Sequence, residues 1–160
     1  MRATPSRFLA ALVPLALAVS ACSTGGARLA AGERTIYMAA IEPKGSTTVD
    51  KEPFPAEALP AGGGYGLEGP DEKGAWTVET YRWLPSGVTV VQGDKVTLEI
   101  LGVNGAMHAS KVEGYDIAFD VKRGQVTTVT FTADKAGVFR IICSTHQPAM
   151  TGTLVVLPSS

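Results

Sequence analysis

At 160 residues, 45% of them hydrophobic, the chain has the size of one domain whose core is large enough to be stable alone. A formal charge of −1 and the lack of any Lys/Arg cluster argue against a nucleic-acid partner. Eighteen Gly and ten Pro, with Val and Thr frequent in the second half, favour many short strands over helices.

Residues 1–21 read as an export leader and not as part of the fold. Arg2 and Arg7 form a basic start, Phe8 to Val19 is a short apolar run, and Val19-Ser20-Ala21-Cys22 closes it with small residues before a cysteine. The apolar run is short for a membrane span. The pattern resembles a bacterial lipoprotein signal, which implies that Cys22 is acylated and becomes the first residue of the mature protein. An ordinary secretory signal cut nearby is the alternative, and either would export the chain. Ser23 to Gly32 is small and featureless, so residues 22–32 read as a flexible tether holding the domain away from a membrane.

The domain proper is expected over residues 33–160. Arg34 to Ile41 is apolar enough for a first strand. Residues 43–75 carry many prolines and the glycine run around Ala61 to Gly66, which predicts an extended loop anchored by Phe54 and Tyr65. Residues 33–79 are also rich in carboxylates, which reads as a solvated surface more readily than as a docking face.

From Trp76 onward the chain is regular. Trp76 to Trp83 alternates, Val88 to Val91 reaches a Gln92-Gly93-Asp94 turn, and Lys95 to Ile100 alternates again. Met107 to Val112, Tyr115 to Phe119, Gln125 to Thr132, Val138 to Ile142 and Thr151 to Leu157 follow, separated by Gly, Asp or Asn. Short strands at this spacing predict an all-β sandwich. No segment has convincing amphipathic helical spacing, and there is no internal repeat.

The chemistry is concentrated in Cys143-Ser144-Thr145-His146-Gln147-Pro148-Ala149-Met150, directly after an apolar strand. Cys143 shares a face with Phe139 and Ile141, so its thiol points inward. With Cys22 lipidated, Cys143 is the only free thiol in an oxidising compartment, a liability that a bound metal would remove. Alone it could be a buried structural cysteine. His146 and Met150 turn the balance, because a thiolate, an imidazole and a thioether suit copper, and thioether suits zinc poorly. The chain holds only one other histidine, so a second imidazole can come only from His108. Met107, beside it, faces the other way along the strand and is assigned to the core. A Cys-His₂ zinc site remains open from these residues.

The run from Val103 to Val156 resembles the cupredoxin family, and most closely the copper domain of cytochrome c oxidase subunit II. The likeness is carried by His108 opening a strand, by Gly114-Tyr115-Asp116-Ile117, and by Arg123-Gly124-Gln125 leading into Thr128-Val129-Thr130-Phe131. Ala136-Gly137-Val138-Phe139 before Cys143-Ser144 completes it. It covers about Trp76 to Leu157 and implies a Greek-key β-sandwich. The subunit II loop that binds a dinuclear centre has two cysteines; this one has a single cysteine and is shorter. One copper is therefore expected, with His108, Cys143 and His146 as equatorial ligands and Met150 as the axial one, as in mononuclear blue or green copper proteins. Asn104, tying the two loops together, and the turn at Ser144 are expected to support the ligands.

The function implied is one-electron transfer between Cu(II) and Cu(I) by a monomer, not an enzyme. It would be lipid-anchored on the periplasmic side of a bacterial envelope and paired with a respiratory electron donor or acceptor. The alternatives are copper buffering or delivery, and an accessory subunit resembling oxidase subunit II.

Overall fold

A computed structural model describes residues 29–58 and 63–159. The leader, Cys22 and most of the tether lie outside these residues. Among the described residues every regular element is a strand, twelve in all. No helix there is long and apolar enough to cross a membrane.

Two sheets make the sandwich. The first runs in the order β10 (Val126–Thr132), β7 (Lys95–Gly102), β1 (Glu33–Ile41), β5 (Arg82–Leu84). The second runs β6 (Gly87–Val91), β12 (Thr151–Leu157), β11 (Gly137–Cys143), β8 (Met107–Val112), β9 (Ile117–Lys122). Most pairs are antiparallel, but β1 lies parallel to β7 and β12 parallel to β6. The chain therefore crosses between sheets instead of meandering within one, as a sandwich with long-range connections requires.

The alternating residues of each strand build the core. Val96, Leu98 and Ile100 of β7 share one buried cluster with Leu154 and Val156 of β12 and with Trp83, Val112, Val121 and Ile141. Each such aliphatic side chain contributes roughly 1.5–3 kcal/mol on burial. The same alternation decides where the chemistry points. On β8 the buried positions are His108, Ser110 and Val112, so the strand that exposes Met107 and Lys111 drives the His108 imidazole inward. Met107 is thus not a core residue, contrary to the assignment from sequence: it is 46% exposed.

Three expectations for the strands are corrected. Residues 43–75 are not a loop throughout: β2 (Lys44–Thr48) and β3 (Tyr65–Glu68) flank β4 (Ala75–Thr80) in a third, three-stranded sheet. Phe54 does anchor, meeting Trp76 edge-on at 5.5 Å, and the Trp76 indole N–H donates to the Glu52 carbonyl at 2.9 Å. Tyr65, by contrast, is a largely exposed strand residue. The expected Trp76–Trp83 strand is broken at Tyr81, its two halves serving different sheets. Finally, Tyr115 lies in a turn and the strand after it begins at Ile117, beyond Asp116, which adopts a positive φ of 53°.

Candidate metal centre

Two neighbouring strands deliver the first donors. β11 and β8 pair antiparallel with Cys143 opposite Ser110, and His108 lies two residues further along the same inward face. Cys143 ends β11, after which the chain must turn. The loop closes on itself: the Cys143 N–H donates to the Met150 carbonyl at 3.1 Å, and the Met150 N–H to the His146 carbonyl at 2.8 Å. His146 is thereby folded back over the sulfur, its Nδ1 3.3 Å from Cys143 Sγ. One donor atom each from His108, Cys143 and His146 lie within 4.8 Å of one another. His108, Cys143 and Met150 are fully buried, and His146 is half-buried at the rim.

His108 is prepared for coordination. Its Nε2–H donates to the Asn104 carbonyl at 3.0 Å, which fixes the tautomer and leaves Nδ1 as the basic nitrogen. That Nδ1 is buried and has no hydrogen-bond partner. An orphaned buried nitrogen costs about 1–3 kcal/mol unless something accepts its lone pair. The neighbouring Cys143 sulfur raises the His108 pKa, against burial, which lowers it. Burial opposes ionisation of Cys143, but the neighbouring His108 ring, the Thr145 hydroxyl and the loop backbone prevail and bring the thiol down to about 6. A thiolate is therefore accessible near neutral pH, as metal binding requires. A thiolate and two imidazoles form a donor set that fits a borderline-soft ion such as copper or zinc. The thioether of Met150 belongs to the same loop and to the core beneath it.

The expected supporting residues act differently from the sequence reading. Asn104 does not tie the two ligand loops together. Its side chain grips the end of β1, accepting from the Glu42 N–H at 2.7 Å and donating to the Glu42 carbonyl at 2.8 Å, and it reaches His108 only through its own backbone. The Ser144 side chain is exposed, and its N–H donates to the Ala109 carbonyl at 2.7 Å, clasping the loop to β8.

Other residues do what the sequence did not reveal. The Thr145 hydroxyl lies 3.4 Å from Cys143 Sγ. Gln147 spans the loop, its Nε2 donating to the carbonyls of Cys143 at 2.8 Å and Met150 at 3.1 Å, while Thr151 Oγ1 donates to its Oε1 at 3.0 Å. Tyr81 stacks on His146, centroids 3.7 Å apart and planes 5° from parallel. Its phenol is pushed up to about 12 by the Glu42 carboxylate, with burial adding to the effect. No motif marks these roles, since they arise from distant segments brought together by folding. The segment that leads into β3 also reaches the site: Ala149 N–H donates to Gly63 O at 3.2 Å, and Gly64, at φ +68°, lies so close that a Cβ there would be 2.7 Å from the His146 carbonyl oxygen.

Comparison with known proteins is consistent with this geometry. The family model described as a cupredoxin-like domain matches residues 69–156. Cytochrome c oxidase subunit 2 of Thermus thermophilus is 32% identical over 80 residues, covering 48% of this chain and 58% of the relative. The match thus spans little more than half of that protein's length. Two solved structures share the fold. A multicopper oxidase, mgLAC, has a TM-score of 0.52 at 17% identity, covering 80% of this chain and 40% of its own. The copper nitrite reductase of Nitrosomonas europaea has a TM-score of 0.51 at 19% identity, covering 79% and 42%.

Proposed function

Because the chain belongs to the cupredoxin-like domain family, we propose that it is a copper-binding electron-transfer protein whose site is formed by His108, Cys143, His146 and Met150. The observation that carries this reading is the convergence of one buried thiol and two imidazoles within 4.8 Å, one imidazole offering an otherwise unpartnered nitrogen. When bound, copper would supply reversible one-electron chemistry between Cu(II) and Cu(I).

The protein's part is to hold the donors still. His108 is fixed by Asn104, Cys143 by its place at the end of a central strand, and His146 by the closed loop and the Tyr81 ring. Such fixed positions can serve both oxidation states with little rearrangement. Burial of Cys143 and Met150 excludes water, so the half-buried His146 is the natural route for electrons between the site and a partner. A single cysteine in the loop supports one ion, because a pair of thiolates is what bridges two. With every donor drawn from the protein itself, the chain acts as a carrier and not as an enzyme.

The remaining elements of the reading are a lipid at Cys22, a tether over 22–32, and a sandwich domain from 33 onward on the periplasmic face of a bacterial envelope. The lipobox-like Val19-Ser20-Ala21-Cys22 supports the anchor. The likeness to an oxidase subunit 2 supports a respiratory partner, and a monomeric carrier suits either donor or acceptor.

The test is spectroscopic. Copper-loaded protein is expected to show a visible thiolate-to-Cu(II) charge-transfer band and a four-line EPR hyperfine pattern, and Cys143→Ser to lose the band while still folding. A band that survives Cys143→Ser would sink the assignment, and a seven-line mixed-valence pattern would replace one copper by two.

A further inference from the structure

Tyr81 stands where no ligand motif would place it, at the break between β4 and β5, and it touches both imidazoles. Its ring lies flat on His146 at 3.7 Å and meets His108 edge-on at 5.7 Å. Its phenol shares its surroundings with the Glu42 carboxylate, a charged group only 6% exposed that also neighbours the Lys44 ammonium at 3.4 Å. Glu42 is itself locked, its backbone N–H and carbonyl both taken by the Asn104 amide, and the Asn104 carbonyl holds His108 Nε2. The end of β1 is thus tied through the Asn104 amide and backbone to the edge of His108, while the Tyr81 ring covers the face of His146.

We propose that Tyr81 is a positioning residue of the metal centre: its ring fixes the plane of the His146 imidazole and biases the site toward its oxidised state. This rests on the copper-carrier reading above. Near-parallel stacking restricts rotation about the His146 side chain, which the loop backbone alone does not. The bias follows from charge. An imidazole bound to Cu(II) carries more partial positive charge than one bound to Cu(I), and the electron-rich face of a phenol attracts positive charge. The negative charge of Glu42 adds to the attraction for a positive imidazole. The oxidised form gains more from the stack, so the stack lowers the reduction potential.

Three variants separate the parts: Tyr81→Leu removes the ring, Tyr81→Phe keeps the ring without its hydroxyl, and Glu42→Gln keeps an acceptor without its charge. In metal-free protein, the His146 ring protons should show cross-peaks to Tyr81 and an upfield ring-current shift, retained in Tyr81→Phe and lost in Tyr81→Leu. In copper-loaded protein the potential should rise in the order wild type, Tyr81→Phe, Tyr81→Leu, with Glu42→Gln also above wild type. No Tyr81–His146 cross-peak in the metal-free protein, or a Tyr81→Leu protein that binds copper at an unchanged potential, overturns the inference while leaving the carrier reading intact. Wild-type protein that takes up no copper overturns both. Should Tyr81→Leu fail to fold, the Tyr81→Phe and Glu42→Gln potentials decide, and the inference falls if neither moves.

Discussion

Gln147 occupies the middle of the ligand loop without being a ligand, and its amide joins the two ends that must stay together. Both carbonyls it satisfies lie beside buried donors. Replacing it with Ala takes its bond from the Cys143 carbonyl and leaves the Met150 carbonyl with the Cys143 N–H alone, which should cost about 1–3 kcal/mol of stability. Chemical denaturation would measure that loss, and copper release to a chelator should quicken in parallel. Asp94 is a second small residue with a large task. Fully buried between β6 and β7, it accepts from Val91 N–H and Gly32 N–H, each at 2.7 Å, and pairs with Arg34. Burial works against its charge, but these bonds prevail and hold the carboxyl below the usual carboxylate range. A depressed acid stabilises the fold fully above its unfolded value, near 4, and loses that contribution as pH falls through the lower folded value. The Asp94 contribution, read as the difference in denaturation midpoint between wild type and Asp94→Asn, should therefore hold steady above about pH 5 and shrink below about 4. Asp94→Asn should start about 2–3 kcal/mol less stable and lose part of the acid dependence.

At the level of elements, the segment that leads into β3 supports the ligand loop. It meets that loop through Gly63 and Gly64, and Gly64 combines a positive φ with a contact that leaves no room for a side chain. Gly64→Ala should push the 146–149 backbone outward, shifting the visible band of the copper form and costing more than 1 kcal/mol, a loss readable by thermal unfolding. Gly105 is constrained in the same way beside the other imidazole, since a Cβ there would lie 2.8 Å from the His108 ring. These contacts show what was legible beforehand. β7, β8 and β12 bury alternate residues, so a period of two in the sequence located them, although on β8 it is His108 and not Met107 that faces the core. On β11 the thiol of Cys143 points inward as expected, but in a run of three buried residues. β2 and β3 are largely exposed, with Gly45 and Gly66 within them, so no apolar alternation marks them and proline content suggested a loop. The ligand set could be read because soft donors crowd one short loop and only one further histidine exists. Tyr81, Glu42 and Thr145 could not, because nothing in residue type alone says which phenol or hydroxyl will arrive beside a given imidazole or thiol.

For the molecule as a whole, metal binding and folding should be coupled. The donors come from β8 and from the β11–β12 connection, so an ion held by them joins segments that separate on unfolding. Free copper at a hundred times its dissociation constant would add about 2.7 kcal/mol to the folded state. The thermal midpoint should rise on loading and return on chelation, and a midpoint indifferent to copper would contradict binding at His108 and Cys143. The loop's backbone bond between Cys143 and Met150 has a wider consequence, because a hairpin pinned at its own neck is a module. Residues 144–149 could be exchanged for a longer insert bearing a second thiol while the strands on either side keep their register. Ion stoichiometry in this scaffold would then be a property of a removable cassette.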